Sequence, residues 1–108
     1  MEKLLREVCE ILHVSRRAVQ GYEKAGLVSA TGHNNRGYLL YDEDAQQRIE
    51  KIKMYQEMGF SIKEIVQIID APSNVLKGAL SQKLDELRKR KEQLDNIMKR
   101  AIELIEHL

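Results

Sequence analysis

From Leu80 to Leu108 the sequence carries an apolar seam that a small globular domain cannot cover. Leu80, Leu84, Leu87, Lys91, Leu94, Met98, Ala101, Ile105 and Leu108 alternate by four and three, and eight of these nine positions are apolar. A seam sustained over about four heptads indicates a coiled coil rather than the surface helix of a globule. A helix of roughly 32 residues extends about 48 Å at 1.5 Å per residue. In a chain of 108 residues much of that length needs a partner, and a second copy is the simplest one. The seam is asymmetric. Its early flanking positions hold Lys83, Arg88 and Arg90, whereas the later ones hold Ile97, Ile102 and Leu104. The broad apolar end implies a second surface to pack on, such as the other subunit's globular head if the two helices run antiparallel. Lys91, at a core position, is suited to fix register at a cost in stability.

The remaining residues amount to one compact head. The expected division is a head over residues 1–71 and a dimerisation helix over residues 75–108. One phenylalanine and no tryptophan in a chain that is 32% charged argue against a large enclosed active-site cavity. The formal net charge of +1 is not a global basic excess, so any nucleic-acid contact must rest on local placement. The single cysteine, Cys9, cannot form an internal disulfide and favours a reducing compartment; its simplest role is a buried small hydrophobe. No run approaches the roughly 18 apolar residues of a membrane span, and the amino terminus lacks a signal-peptide pattern. A soluble cytoplasmic chain is expected.

Within the head, Leu4, Leu5, Val8, Cys9, Ile11 and Leu12 recur at helical spacing, predicting a short amphipathic helix near residues 3–12 that breaks at His13-Val14. Ser15 is placed to cap the next helix, Val19 and Tyr22 continue its inner face, and Gly26 supplies a left-handed stop. Two short helices joined by a tight turn make a helix-turn-helix. The turn-rich stretch from Ser29 to Arg36, between Leu27-Val28 and Tyr38-Leu39-Leu40-Tyr41, reads as a β-hairpin with its tip near Gly32 to Gly37. Asp42 caps a third helix that Gly59 ends. Ser61 and Glu64 form a capping box, and Phe60 with Ile65 fits a hydrophobic staple. This short fourth helix stops at Ala71-Pro72.

Arg16 and Arg17 stand at the amino-terminal end of the second helix of that helix-turn-helix, the end that enters a major groove in such units. Arginine there forks onto a guanine edge or a phosphate, and Gln20, one turn on, pairs with an adenine edge. Ser15 and the free amides of the helix start suit a phosphate. Asn34, Asn35 and Arg36 crown the hairpin as a wing, and Tyr38 and Tyr41 can donate to phosphate oxygens. The plainer readings are a solvated helix start for the two arginines and a core role for Tyr22, with its hydroxyl at the rim. Gly21 either admits close DNA approach or permits tight packing. Cys9, His13, His33 and His107 share no metal spacing, and no cofactor is expected. Asp42, Glu43 and Asp44 look like cap and dipole chemistry. No nucleophile-base pair, phosphate-binding glycine loop or carboxylate pair emerges, so an enzyme is not expected.

In order and spacing the chain resembles the MerR family of bacterial transcription regulators from end to end. The residues that carry the likeness are Val14-Ser15-x-Arg17, Tyr22-Glu23-Lys24-Ala25-Gly26-Leu27, Arg36-Gly37-Tyr38-x-Leu40-Tyr41 and Met58-Gly59-Phe60-Ser61-Ile62-Lys63-Glu64-Ile65. The resemblance implies a mainly α fold. Its parts are a winged helix-turn-helix head with a small β-hairpin wing, a second helix pair, and a long C-terminal coiled-coil helix that dimerises antiparallel. It also implies a homodimer on the inverted repeat of a double-stranded promoter, bending and untwisting DNA for RNA polymerase, a candidate partner. Ser15, Arg16, Arg17, Gln20, Tyr22, Arg36, Tyr38 and Tyr41 are the expected DNA-binding residues. Leu80, Leu84, Leu87, Leu94, Met98, Ala101, Ile105 and Leu108 are the expected dimerisation residues.

The departures from the family pattern have consequences of their own. Gln20 and Gly21 stand where the family commonly has arginine and tyrosine, and Leu39 where the wing often has arginine, which lowers the expected salt slope of binding. The metal-sensing branch places cysteines at and beyond the dimerisation helix; none stands there, so mercury, copper or zinc sensing is not expected. With no room after Leu108 for a drug-binding domain, the expectation is a minimal regulator or a fragment of a longer chain. Two further classes remain open from sequence: an excisionase-like DNA-bending module, and a coiled-coil adaptor whose head has left DNA.

Overall fold

The computed structural model describes residues 1–108 and divides into two units, Met1–Ala71 and Pro72–Leu108. In the first, β1 (Lys3–Leu4) leads into α1 (Leu5–Leu12) and α2 (Arg16–Lys24), followed by β2 (Gly32–His33), β3 (Leu39–Tyr41), α3 (Glu43–Glu57) and α4 (Ile62–Ile68). The second unit is α5 (Ser73–Glu106). The architecture is mainly helical with one small antiparallel sheet, ordered β1-β3-β2.

Local chemistry sets most of the boundaries. Ser15 Oγ accepts from the Ala18 amide at 3.0 Å and Asp42 Oδ1 from the Ala45 amide at 2.8 Å, so α2 and α3 begin on side-chain caps. At α4 the capping box is reciprocal: Ser61 Oγ accepts from the Glu64 amide at 3.1 Å and the Glu64 carboxylate from the Ser61 amide at 3.0 Å. Phe60 and Ile65, the two members of the staple, are both buried. Gly26 and Gly59 adopt φ of 78° and 102°, values at which a side chain would be strained. His13 takes the left-handed conformation without being glycine, at φ 53°, and closes α1.

Three expectations are corrected. Lys3 and Leu4 are not helical; they pair with β3, Lys3 opposite Tyr41 and Leu4 opposite Leu40. The helix starts only at Leu5, because the open edge of β3 offers backbone partners that a helix end would leave unmet. Leu27-Val28 is not the first strand of the hairpin. Leu27 is buried and its amide closes the end of α2 on the Tyr22 carbonyl at 3.0 Å, so β2 is Gly32–His33, opposite Leu40 and Leu39. Finally, Cys9 is only half-buried.

The core of the first unit gathers Val8, Val19, Tyr22, Leu27, Tyr41, Ile49, Ile52, Tyr55, Ile65 and Ile68, with Tyr55 edge-on to Phe60 at 6.0 Å between centroids. Two cations of α3 lock the periphery. Lys53 Nζ donates to the Leu12 carbonyl at 2.6 Å, satisfying the end of α1. Arg48 donates through Nε to the Leu27 carbonyl and grips both Asp70 oxygens at 2.7 Å each. The Arg48 guanidinium holds the Asp70 carboxyl below its ordinary range. A depressed carboxyl stabilises the fold above the ordinary carboxylate pKa, and that contribution disappears as pH falls through the depressed value. Asp70→Asn is therefore expected to flatten the loss of urea resistance below about pH 4; an unchanged acid limb would exclude the pair from a role there.

The second unit is a single helix with no buried residue. It begins at Ser73 rather than residue 75, the Pro72 carbonyl accepting from the Val75 and Leu76 amides at 3.0 Å each. It ends at Glu106, so Leu108, expected in the seam, lies beyond the last turn. Leu84, Leu87, Leu94, Met98 and Ile105 are between 42% and 69% exposed. Leu80 is half-covered and Ala101 exposed. No helix is long and apolar enough to cross a membrane.

Candidate nucleic-acid interface

The cap at Ser15 fixes the phase of α2. Val19 and Tyr22 then turn inward, while Arg16, Arg17, Gln20 and Gly21 fall on the opposite, exposed stripe. The charge pattern of this helix differs from that of its neighbours. α1, α3 and α4 each carry carboxylates in the first turn (Glu7; Glu43 and Asp44; Glu64), whereas α2 has none and carries two arginines instead. Acidic first turns satisfy the positive end of a helix internally. At α2 that end meets the Ser15 hydroxyl and no carboxylate of its own first turn, with Arg16 and Arg17 in that turn instead.

The wing is braced by one side chain. Asn34 Oδ1 accepts from the Arg36 amide at 2.9 Å and the Tyr38 amide at 3.0 Å. The Asn34 amide donates to the Tyr38 carbonyl at 2.9 Å, its own carbonyl accepts from the Gly37 amide at 3.0 Å, and Gly37 takes φ 80°. This Asx-type turn leaves Asn35, Arg36 and Tyr38 exposed. Asn34 is thus the wing's internal strut, a role the sequence reading did not give it.

Ser15, Arg16, Arg17, Gln20, Arg36 and Tyr38 are all exposed. Arg16 and Gln20 share an open groove with Leu4, Leu5, Arg6, Gly37, Tyr38 and Leu39. No carboxylate lines it. The other two candidates, Tyr22 and Tyr41, are corrected: their rings are 2% and 0% exposed. The Tyr22 hydroxyl donates to Gln56 Oε1 at 2.5 Å, and that of Tyr41 to the Glu23 carboxylate. Burial raises the pKa of both phenols, helped at Tyr22 by the Glu57 charge and at Tyr41 by Glu23, so both stay protonated and committed to these internal acceptors. The physical reason is size: few other aromatic rings are available to fill the junction of α2, β3 and α3. Tight packing does not explain Gly21, because a Cβ there would meet nothing within 4 Å. Burial raises the Cys9 thiol, Arg16 opposing it and Glu10 adding to it. No group of three or more His, Cys, Asp or Glu side chains is placed to hold a metal ion.

Residues 5–72 match the family described as MerR HTH family regulatory protein, and residues 46–104 the one described as MerR, DNA binding. The HTH-type transcriptional activator Mta of Bacillus subtilis is 30% identical over 98 residues, covering 91% of this chain and 38% of that protein. Nodulation protein NolA of Bradyrhizobium elkanii is 29% identical over 102 residues, 94% of this chain and 43% of that protein. The chain therefore spans about four-tenths of the length of these relatives. Among solved structures, MtaN, the N-terminus of the B. subtilis multidrug transporter activator, superposes with a TM-score of 0.72 at 29% identity, covering 90% of this chain and 92% of that one. HiNmlR, a MerR family regulator lacking the sensor domain and bound to promoter DNA, superposes with a TM-score of 0.75 over 92% of this chain and 80% of that one, and at 16% identity shows likeness of fold alone.

Proposed function

Because the chain belongs to the MerR family of helix-turn-helix regulatory proteins, we propose that it is a sequence-specific transcription regulator acting as a homodimer on an inverted repeat in promoter DNA. The observation that carries this reading is the exposed, carboxylate-free start of α2, where Ser15, Arg16, Arg17 and Gln20 are open to solvent and Arg16 and Gln20 share a groove with Gly37 and Tyr38 of the braced wing. An α-helix start of this kind fits the major groove, with Arg36 and Tyr38 reaching the flanking backbone. The relatives named above are a transcriptional activator and a nodulation protein, and the work assigned to this chain is binding without catalysis, in the cytoplasm.

The exposed seam of α5 supports pairing with a second copy. An antiparallel pair would give the apolar end bearing Ile97, Ile102 and Leu104 the other subunit's head to pack on. Two heads joined in this way read two half-sites, and bending between them would let DNA deformability contribute to specificity. Contact with RNA polymerase belongs to the same reading.

The test is fluorescence anisotropy of the protein on the DNA upstream of its own gene, across a salt series, with a scrambled duplex of equal length as control. Tighter binding to the native fragment with a finite salt slope is the expected result. Equal and weak binding to both would instead favour a DNA-bending module or a coiled-coil adaptor. Arg17→Ala is expected to weaken native-fragment binding by about 1–3 kcal/mol, as for loss of one base or phosphate contact, and to leave the dimer intact. Unchanged affinity would remove Arg17 from the interface.

A further inference from the structure

We infer that Arg6, on the first helix, is a further DNA-backbone contact that holds the phosphates passing between the recognition helix and the wing; this rests on the DNA-binding reading above. Three separated segments build the groove in which it stands: Arg6 from α1, Arg16 and Gln20 from α2, and Tyr38 from the wing. Pairing of Leu4 with Leu40 ties the start of α1 to the strand that carries the wing. Through that pairing Arg6 lines the same groove as Tyr38, a residue remote in sequence.

The charge at Arg6 has no structural use. The side chain is exposed and makes no ion pair, whereas Arg48 and Lys53 of the same head are bonded to Asp70, Glu57 and backbone carbonyls. It also lies in the first turn of α1, where a cation opposes the helix dipole. The favourable charge of that turn, Glu7, is turned back onto the Leu4 amide at 3.0 Å. A guanidinium held where its own helix disfavours it, in a groove with a second arginine and no carboxylate, is arranged for an external anion. Next to a helix positioned for the major groove, that anion is a phosphodiester, because the first helix of such a unit crosses the backbone. A phosphate contact carries affinity without sequence information.

The experiment is the same salt series on native and scrambled duplexes, run with the full chain, Arg6→Ala, Arg6→Gln, Arg6→Lys and Arg17→Ala. Arg6→Ala and Arg6→Gln are expected to weaken both duplexes by the same factor, roughly fivefold or more at low salt, and to lower the salt slope by roughly 0.9 per head. Arg6→Lys should retain the slope, which a merely structural role would not predict. If Arg6→Gln matches the parent protein in affinity and slope while Arg17→Ala loses the native fragment, Arg6 is not a contact and the DNA-binding reading stands. If the parent protein binds neither duplex, both fall.

Discussion

The double variant Leu87→Glu, Leu94→Glu is expected to sediment as a monomer with an intact head. Both leucines lie on the seam of α5, 42% and 50% exposed in the single chain, one heptad apart and on the same face. Burying one leucine side chain contributes about 1.5–3 kcal/mol, and a homodimer buries each position twice. The substitution does more than remove this gain: four carboxylates would lie on an apolar surface without partners, a further cost of several kcal/mol. The head should not notice, since every buried apolar residue of the chain lies between Val8 and Ile69. Sedimentation equilibrium reads the mass, and far-ultraviolet circular dichroism together with a urea titration reads the head. Affinity for the native fragment should fall as well, because two linked half-sites become two independent weak ones. A dimer that survives both charges would refute the seam as the pairing surface.

What could be read from the sequence was what local chemistry decides. Ser15, Asp42 and Ser61 cap helices through side-chain oxygens a few residues from the amides they accept from, and Gly26 and Gly59 mark ends through φ alone. These need no knowledge of distant neighbours. The long helix was equally legible, since its seam repeats over many turns. β1 was hidden for a different reason. Leu4 and Leu5 continue the helical spacing of Val8 and Leu12, and only the open edge of β3, built from residues some 37 positions later, draws Lys3 and Leu4 into a strand. The candidate interface divides along the same line. Arg16, Arg17 and Gln20 follow from one cap and one helical phase, whereas the place of Arg6 depends on that strand pairing. Asn34 could be assigned to the wing but not to its interior, because an asparagine that contacts DNA and one that braces a turn are the same residue type.

Tyr22 shows why residue type alone misleads, and its variants separate core from contact. Tyr22→Ala is expected to cost about 3–5 kcal/mol, as for removal of a fully buried aromatic ring, enough to unfold a large share of a small head. Tyr22→Phe keeps the ring and loses only the bond to Gln56 Oε1, a net cost of about 0.5–1.5 kcal/mol. The low end is expected, since Gln56 is itself exposed and water can replace the donor. The phenol, raised first by burial and then by the Glu57 charge, is neutral near neutral pH, so the phenylalanine variant changes no charge. Its affinity for the native fragment should therefore equal that of the parent protein at every salt concentration. Urea titration supplies the stabilities and anisotropy the affinities, on the same preparations. A phenylalanine variant that keeps its stability but loses operator binding would make the hydroxyl a phosphate donor and return Tyr22 to the interface. The alanine variant cannot distinguish the two roles, because a head that has lost its central ring loses DNA with it.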